Sequence, residues 1–525
     1  MNNGGAQSVG DTASAGLIRL GALVAARMGL HFPESRQGDL LRGAQALARE
    51  HGREDTEAFL QSLLAAPLTD RQMEILTAHL TVGETYFFRE MKSLDAFRDH
   101  VIPELIRQRA GGDQRLRIWS AGCSTGEEAY TIAMILSELI PDLDAWDVDI
   151  LATDINPLSL DKARQGVYTE WSFRGMPESL RKRYFEPQGK KTFAVRPRFR
   201  GMVSFACLNL ATDVYPSLQN NTNAMDVIFC RNVLMYFLPE LVQKVIMHFR
   251  NCLVEGGWFI VAPSESSMLL ASEFASVPLD GATIYRKDSH KPAAATVWQM
   301  PPIAAKPVEE EWKFFPPLST PVPSVQSGKD KTSAAPTGTP QSAFRNPETD
   351  PYEEALVAYR AGCYADAEAT LQTLLGADGA TERGIKAGNS FALMARIDAN
   401  QGKLNQAVEW AEKAITADKV NPGFYYLLST ILEEQHRPKD AVQALKRALY
   451  LDSTFILAHF ALGNIALQEN GRKNADRHFV NAAALLARLP KDEVLPESEG
   501  VTAGRLLEII ESITESANSN QETRQ

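Results

Sequence analysis

The chain has 525 residues, 44% of them hydrophobic, and carries 54 Lys and Arg against 65 Asp and Glu, a net charge of -11. That length implies three or so domains at roughly 150 residues each, and the acidic balance argues against a protein built to coat nucleic acid or anionic lipid. No apolar run approaches the roughly 18 to 20 residues that span a bilayer, and five scattered cysteines without CxxC spacing indicate neither a disulfide framework nor a zinc site, so a soluble cytoplasmic protein is expected.

In chain order, residues 1–14 read as a disordered tail and residues 15–90 as a helical domain. The apolar stretch from Leu17 to Leu30 is interrupted by Arg19 and Arg27, which makes it an amphipathic helix rather than a signal peptide. From Arg115 the character changes. Strand and helix patterns alternate through LRIWSAG, a helix from Glu127, VDILATD, a helix near Leu158, VIFCRNV and GGWFIVAP. Such alternation means a doubly wound, Rossmann-like α/β domain with a parallel sheet, assigned to residues 91–288. An insertion over about residues 180–205 is expected to form a small antiparallel β-subdomain. Its segment RKRYFEPQGKKTFAVRPRFR holds eight basic residues and one acid.

The first strand ends in WSAGCSTGEEAYTIA, where Gly122 and Gly126 bracket a tight turn ahead of a helix. In a doubly wound sheet a nucleotide-like ligand sits at this end of the strand, although the same glycines also suit a plain strand cap. The second strand ends in Asp154, 32 residues after Gly122. A carboxylate there is placed to bind a ribose diol or to cap the next helix. Glu127 and Glu128 follow the turn directly. They would repel a diphosphate but suit a ligand bearing an ammonium and a sulfonium, as S-adenosylmethionine does, and one of the two is expected only to pair with the helix dipole.

Residues 289–350 hold eleven prolines, from Pro292 to Pro347, without a sustained hydrophobic period. This reads as a flexible linker that lets the two halves move semi-independently. Beyond it the chain repeats. Ala407, Ala441 and Ala475 lie 34 residues apart, as do Ala414, Ala448 and Ala482, with a looser copy at Ala367 and Leu374. A 34-residue helical period resembles the tetratricopeptide repeat, assigned to residues 351–490 as an all-α domain, with a C-terminal helix and tail over residues 491–525. Stacked repeats offer a concave surface to a protein partner.

Five motifs in order, LTVGETYFFRE (Leu80 to Glu90), SAGCSTGEEAY, LATDIN, CLNL (Cys207 to Leu210) and IFCRNVLMYF (Ile228 to Phe237), resemble the CheR family of chemoreceptor glutamate O-methyltransferases over roughly residues 15–288. The added repeats are similar to the subfamily serving alternative chemosensory and surface-sensing (Wsp-type) pathways. The resemblance implies a class I methyltransferase fold and S-adenosyl-L-methionine as cofactor, with S-adenosyl-L-homocysteine as product. It also implies a methyl-accepting chemoreceptor cytoplasmic domain as partner and recruitment to membrane receptor arrays. Carried over, the cofactor contacts fall on Thr85 and Arg89, on Glu127 for the methionyl amino group beside the Gly122 turn, and on Asp154 for the ribose. Asn209 and Leu210 surround the adenine, Cys230, Arg231 and Asn232 flank the methionine moiety, and Tyr236 lies near the transferred methyl. Gly83 stands where the family often has Asn, so a side-chain contact there is lost or replaced by backbone.

Methyl transfer from a sulfonium to a carboxylate already ionised at neutral pH requires no general base, so positioning and desolvation carry the catalysis. Arg89 is the natural group to steer the carboxylate and Tyr236 a hydrogen-bonding or cation-facing wall, unless Arg89 merely pairs with Glu84 or Glu90. Receptor helices rich in glutamate are acidic. Arg181, Lys190 and Lys191 of the basic strip, with Arg36 and Arg42 of the N-terminal helices, are therefore the expected substrate-binding residues. Some members of the family grip a receptor C-terminal pentapeptide with this small sheet and a longer Gly-bearing loop; the short loop around Pro187 to Lys190 favours docking without it. An amino-directed nucleic-acid methyltransferase would carry an N/D-P-P-Y/F turn where this chain has CRNVLMYF. A non-catalytic scaffold is the other rival, and it conflicts with motif positions that keep chemically competent residues. No metal, nucleic acid or direct membrane insertion is expected.

Overall fold

The computed structural model describes residues 8–33, 36–66, 68–109, 114–140, 142–269, 272–288, 350–360, 362–377, 385–469, 471–498 and 500–522. Among the described residues ten strands are present: β1 (Arg115–Ala121), β2 (Asp147–Asp154), β3 (Val167–Thr169), β4 (Phe185–Pro187), β5 (Thr192–Val195), β6 (Val203–Cys207), β7 (Met225–Cys230), β8 (Leu253–Val261), β9 (Ala275–Leu279) and β10 (Ala282–Arg286). The main sheet has the order β6-β2-β1-β7-β8-β10-β9. Its first five strands are parallel, while β10 pairs antiparallel with both β8 and β9. The sheet is therefore mixed rather than purely parallel, because the two-residue connection Asp280–Gly281 between β9 and β10 is too short for a crossover and makes a hairpin.

Successive residues of β1 face opposite layers, as the pleat requires. Ile118 packs with Ile132 and Leu160 on one side, and Trp119 packs with Val245 and Phe249 on the other. Helices Glu127–Leu139 and Pro157–Gln165 cover the first layer and Pro239–Cys252 the second. The small antiparallel sheet has the order β3-β5-β4. It begins at Val167, ahead of the insertion read from sequence, since a lone hairpin of β4 and β5 is marginal without a third strand.

Four helices, Ser8–Met28, Gln37–Glu50, Thr56–Leu63 and Asp70–Leu80, form the N-terminal domain around Leu20, Val24, Leu47 and Leu76. The first begins inside the stretch expected as tail. Thr69 and Gln72 make a reciprocal capping box that starts the fourth helix. The domain rests on the carboxyl end of the sheet, where His31 N donates to Tyr236 O at 2.8 Å.

The C-terminal region is a stack of tetratricopeptide-like helical hairpins, from Pro351–Arg360 with Tyr364–Ala377 through Ile456–Gln468 with Arg472–Leu486, followed by the helix Ala503–Glu522. All six of the 34-spaced alanines are fully buried. Gly463 marks a close crossing, for a Cβ there would lie 2.6 Å from the Phe479 ring. Apart from Asp350, the expected linker lies outside the described residues.

The repeats are packed against the α/β half instead of standing apart from it. Arg117, in the middle of β1, is 3% exposed and donates to Glu434 of the repeats at 2.6 Å, with Arg115 reaching the same carboxylate at 3.0 Å. A buried guanidinium must be paired, and here the partner comes from the other half of the chain. His436 bonds Asp147 at 2.7 Å, and Leu218 packs among Ala407, Phe424 and Leu427.

Candidate functional site

The site lies across the carboxyl ends of β1, β2 and β7. After β1 the chain turns at Gly122, whose φ is +79° and where a Cβ would collide with the Val233 side chain. Glycine alone permits that approach. Gly122 N and Cys123 N both donate to Thr153 O, at 2.8 and 2.9 Å, which ties the turn to the tip of β2. Asp154 at that tip accepts from Ser124 N and Asn156 N, each at 2.8 Å, and burial pushes its carboxyl pKa up. Phe88, Glu90, Ser124 and Asn232 all have left-handed backbones, with φ between 50° and 60°. Four such residues around one pocket store strain of about 1–3 kcal/mol each, which the surrounding contacts hold in place.

Two open depressions of about 500 and 730 Å³ meet at Val82, Gly122, Ser124 and Asn232. Both open at the carboxyl edge of the sheet, where a doubly wound fold binds its ligand. One half is charged, lined by Thr85, Arg89, Glu128 and Arg231. Glu128 accepts from Ser120 Oγ at 2.7 Å and from Arg231 Nη1 at 3.1 Å. Arg231 also bonds Glu90 at 3.1 Å. Arg89 donates to the Glu84 carbonyl at 2.7 Å and lies 3.8 Å from Glu90, so it has partners yet remains a quarter exposed. The other half is apolar, lined by Leu30, Leu80, Ile155 and Leu210 together with Gly83, Asp154, Asn209 and Tyr236.

Of the residues singled out from sequence, Gly83, Thr85, Arg89, Gly122, Asp154, Asn209, Leu210, Arg231, Asn232 and Tyr236 thus line one connected pocket. Glu127 does not. It is buried beneath the turn, accepting from Thr125 Oγ1 at 2.6 Å and Ser172 Oγ at 3.0 Å, with its pKa pushed up by desolvation. The carboxylate facing the pocket is Glu128. Cys230 is fully buried at the end of β7 and does not reach the pocket lining. Arg36 stands near the rim, its guanidinium 5.0 Å from the Tyr236 ring and 4.8 Å from Phe32. Arg42 is bonded to Asp39 and largely exposed, away from the pocket. Arg181 lies over Phe193 at 4.6 Å, and Lys190 and Lys191 are exposed between β4 and β5, so these three belong to a separate surface.

Sequence reasoning missed Glu265. This fully buried carboxylate accepts main-chain N–H groups from Asn232, Val233, Met235 and Ala262 at 2.8 to 3.2 Å. It fixes the loop that presents Arg231 and Asn232. An acid four residues beyond the end of β8, in the loop at its carboxyl end, was the available signal.

Ser124 Oγ, at the junction of the two halves, is buried without a hydrogen-bond partner among the described residues. Leaving it so costs about 1–3 kcal/mol, and a polar ligand crossing the junction satisfies it. A charged half suited to an amino-acid zwitterion, joined to an apolar half closed by a carboxylate, fits S-adenosylmethionine.

Residues 83–281 match the family described as CheR methyltransferase, SAM binding domain. Over 207 residues the chain is 39% identical to the probable chemotaxis protein methyltransferase of Rhizobium etli, covering 39% of this chain and 75% of that protein. Over 263 residues it is 31% identical to the chemotaxis protein methyltransferase Cher2 of Pseudomonas putida, covering 49% of this chain and 92% of that one. A crystal structure of MamA covers 26% of this chain and 77% of its own, at 16% identity and a TM-score of 0.24.

Proposed function

The chain belongs to the CheR methyltransferase family, and from that premise we propose that it methylates glutamate side-chain carboxylates on the cytoplasmic domains of methyl-accepting chemoreceptors. It is an S-adenosylmethionine-dependent methyltransferase of the chemotaxis type. The observation that carries the finer reading is Arg89 at the charged end of the pocket, a quarter exposed and beside Glu128 and Asn232.

When bound, S-adenosylmethionine supplies an electrophilic methyl group. Glu128, held by Ser120 and Arg231, is oriented to take the ammonium of the amino-acid end. Asp154, fixed by two main-chain donors, is the acceptor for ribose hydroxyls, and Asn209 and Leu210 wall the base. Arg89 orients the incoming carboxylate by charge-assisted hydrogen bonding. Tyr236 closes the same pocket from the apolar side, with Arg36 stacked on its ring. The arrangement contains no requirement for a base, since a glutamate carboxylate is ionised near pH 7.

The acidic receptor surface docks on the small sheet and the N-terminal helices. Lys182, Arg183 and Arg196 are engaged with Glu178, Glu138 and Glu186 of this chain. Arg181, Lys190 and Lys191 have no ion pair among the described residues and are the cations offered to substrate, while Arg36 at the rim is already paired with Asp39 at 3.1 Å and adds a partly neutralised charge. The repeats recruit a protein partner and bring the enzyme to receptor arrays. No described helix is long and apolar enough to cross a membrane.

The test is transfer of labelled methyl from S-adenosylmethionine to receptor-enriched membranes by wild type and Arg89→Ala. Label that depends on the enzyme and falls by about a hundredfold in the variant supports the reading; equal transfer by both proteins removes Arg89 from the reaction.

A further inference from the structure

We propose that Arg505, in the last helix of the chain, is a positioning residue of the cofactor site: through Asp213 it holds the segment whose Asn209 and Leu210 wall the apolar half of the pocket.

After β6 ends at Cys207, the chain makes a long excursion before β7. Its first residues, Leu208, Asn209 and Leu210, line the pocket. One carboxylate oxygen then serves two donors: Asp213 Oδ2 accepts from Asn209 N at 2.8 Å and from Arg505 Nη2 at 3.0 Å. The same Arg505 nitrogen lies 3.8 Å from Cys207 Sγ, so the guanidinium touches both ends of the segment. Glu508, one turn along the helix, holds Nη1 at 3.0 Å and presets the rotamer. Arg505 and Asp213 are 26% and 18% exposed, so solvent screens this pair less than an open surface pair.

The rest of the excursion is gripped by the same domain. Gly500 approaches Val214 so closely that a Cβ would lie 2.9 Å from it, and Gln219 donates to Glu497 O at 2.9 Å. From the opposite side, Asn209 Nδ2 donates to Arg27 O of the first helix at 2.8 Å. The base-binding wall is thus suspended between the N-terminal domain and a helix 292 residues downstream. The repeat module consequently contributes to cofactor affinity as well as to recruitment.

The inference rests on the S-adenosylmethionine reading, and the experiment separates the two. Calorimetric titration of S-adenosylmethionine and steady-state kinetics are run on full-length wild type, Arg505→Gln, Arg505→Lys, Asp213→Asn and Glu434→Gln. Arg505→Gln and Asp213→Asn are expected to raise Kd and the KM for S-adenosylmethionine by roughly threefold to tenfold, with kcat and the KM for receptor unchanged. Arg505→Lys recovers part of the loss. Glu434→Gln breaks the Arg117 pair elsewhere in the same interdomain contact and lowers Tm without moving Kd. Unchanged Kd in Arg505→Gln and Asp213→Asn, with wild type binding normally, overturns the inference. So does an equal rise in Glu434→Gln, which would assign the effect to docking as a whole. If Arg505→Gln does not fold, Asp213→Asn decides alone. A wild-type protein that does not bind S-adenosylmethionine overturns the cofactor reading and this inference with it.

Discussion

Arg231 Nη1 lies 3.1 Å from Glu128 Oε2, and the arginine side chain is 3% exposed. Because its other nitrogen bonds Glu90 at 3.1 Å, one buried cation joins the turn after β1 to the loop that carries Arg89. Of the two adjacent glutamates, Glu128 is thereby the one held facing the pocket. Glu128→Gln is expected to weaken S-adenosylmethionine binding by about tenfold or more, since a charged hydrogen bond is worth roughly 1.5–3 kcal/mol. Glu127→Gln, altering a carboxylate that accepts from Thr125 and Ser172 beneath the turn, is expected to hold affinity within about threefold. Isothermal calorimetry on both variants checks the assignment.

Glu265 accepts four main-chain N–H groups. Desolvation raises its carboxyl pKa while those bonds oppose the rise. Glutamine puts an amide N–H₂ where an acceptor is needed and leaves buried donors unpaired. Glu265→Gln is expected to lose roughly 2–4 kcal/mol of stability and about tenfold in kcat/KM. Denaturant melts and initial rates measure the two effects; unchanged rates would separate this carboxylate from the geometry of the site.

Gly83 and Gly122 should respond oppositely to substitution. A Cβ at Gly83 meets nothing nearer than Ser124 Oγ at 3.7 Å, whereas one at Gly122 would collide with Val233 at a left-handed backbone position. Gly83→Asn is expected to fold normally and to bind S-adenosylmethionine up to about fivefold tighter, by engaging the unpartnered Ser124 hydroxyl or the ligand. Gly122→Ala is expected to cost at least about 2 kcal/mol and to abolish binding. Thermal melts with and without ligand distinguish the pair.

The His436–Asp147 contact predicts a pH dependence. The hydrogen bond that His436 donates to the Asp147 carboxylate raises the His436 pKa above its usual value, and the same bond lowers that of Asp147. A raised histidine pKa contributes stability below the unfolded value of about 6.5 and loses it as pH rises through the folded value. The lowered carboxylate contributes above about 3.9 and loses it as pH falls through its own folded value. The contact is therefore strongest between these limits. His436→Gln should flatten the part of the wild-type fall in Tm that occurs above pH 6.5, and an identical pH profile would exclude the pair as its source.

Much of this architecture is legible in the residues themselves. The 34-residue spacing of Ala407, Ala441 and Ala475 reports close helix packing, and each is fully buried. Gly122 and Asp154 stand at strand ends, and both line the pocket as their positions imply. The choice between Glu127 and Glu128 is not legible, because one residue of rotation at the start of a helix exchanges the buried face for the open one. Gly126, at φ +92°, sets that rotation. Glu265 is hidden because its partners are main-chain amides, which no side-chain motif records. Arg117 gave a signal, a charge in an apolar strand, but its partner Glu434 lies 317 residues away.

The most direct test of the central claim is to map the transferred methyl group on receptor peptides after reaction with wild-type enzyme and labelled S-adenosylmethionine. The account predicts methyl esters on glutamate side chains, released as methanol by mild base and absent with Arg89→Ala. Label that resists base, or that lies on nitrogen or nucleic acid, would contradict it.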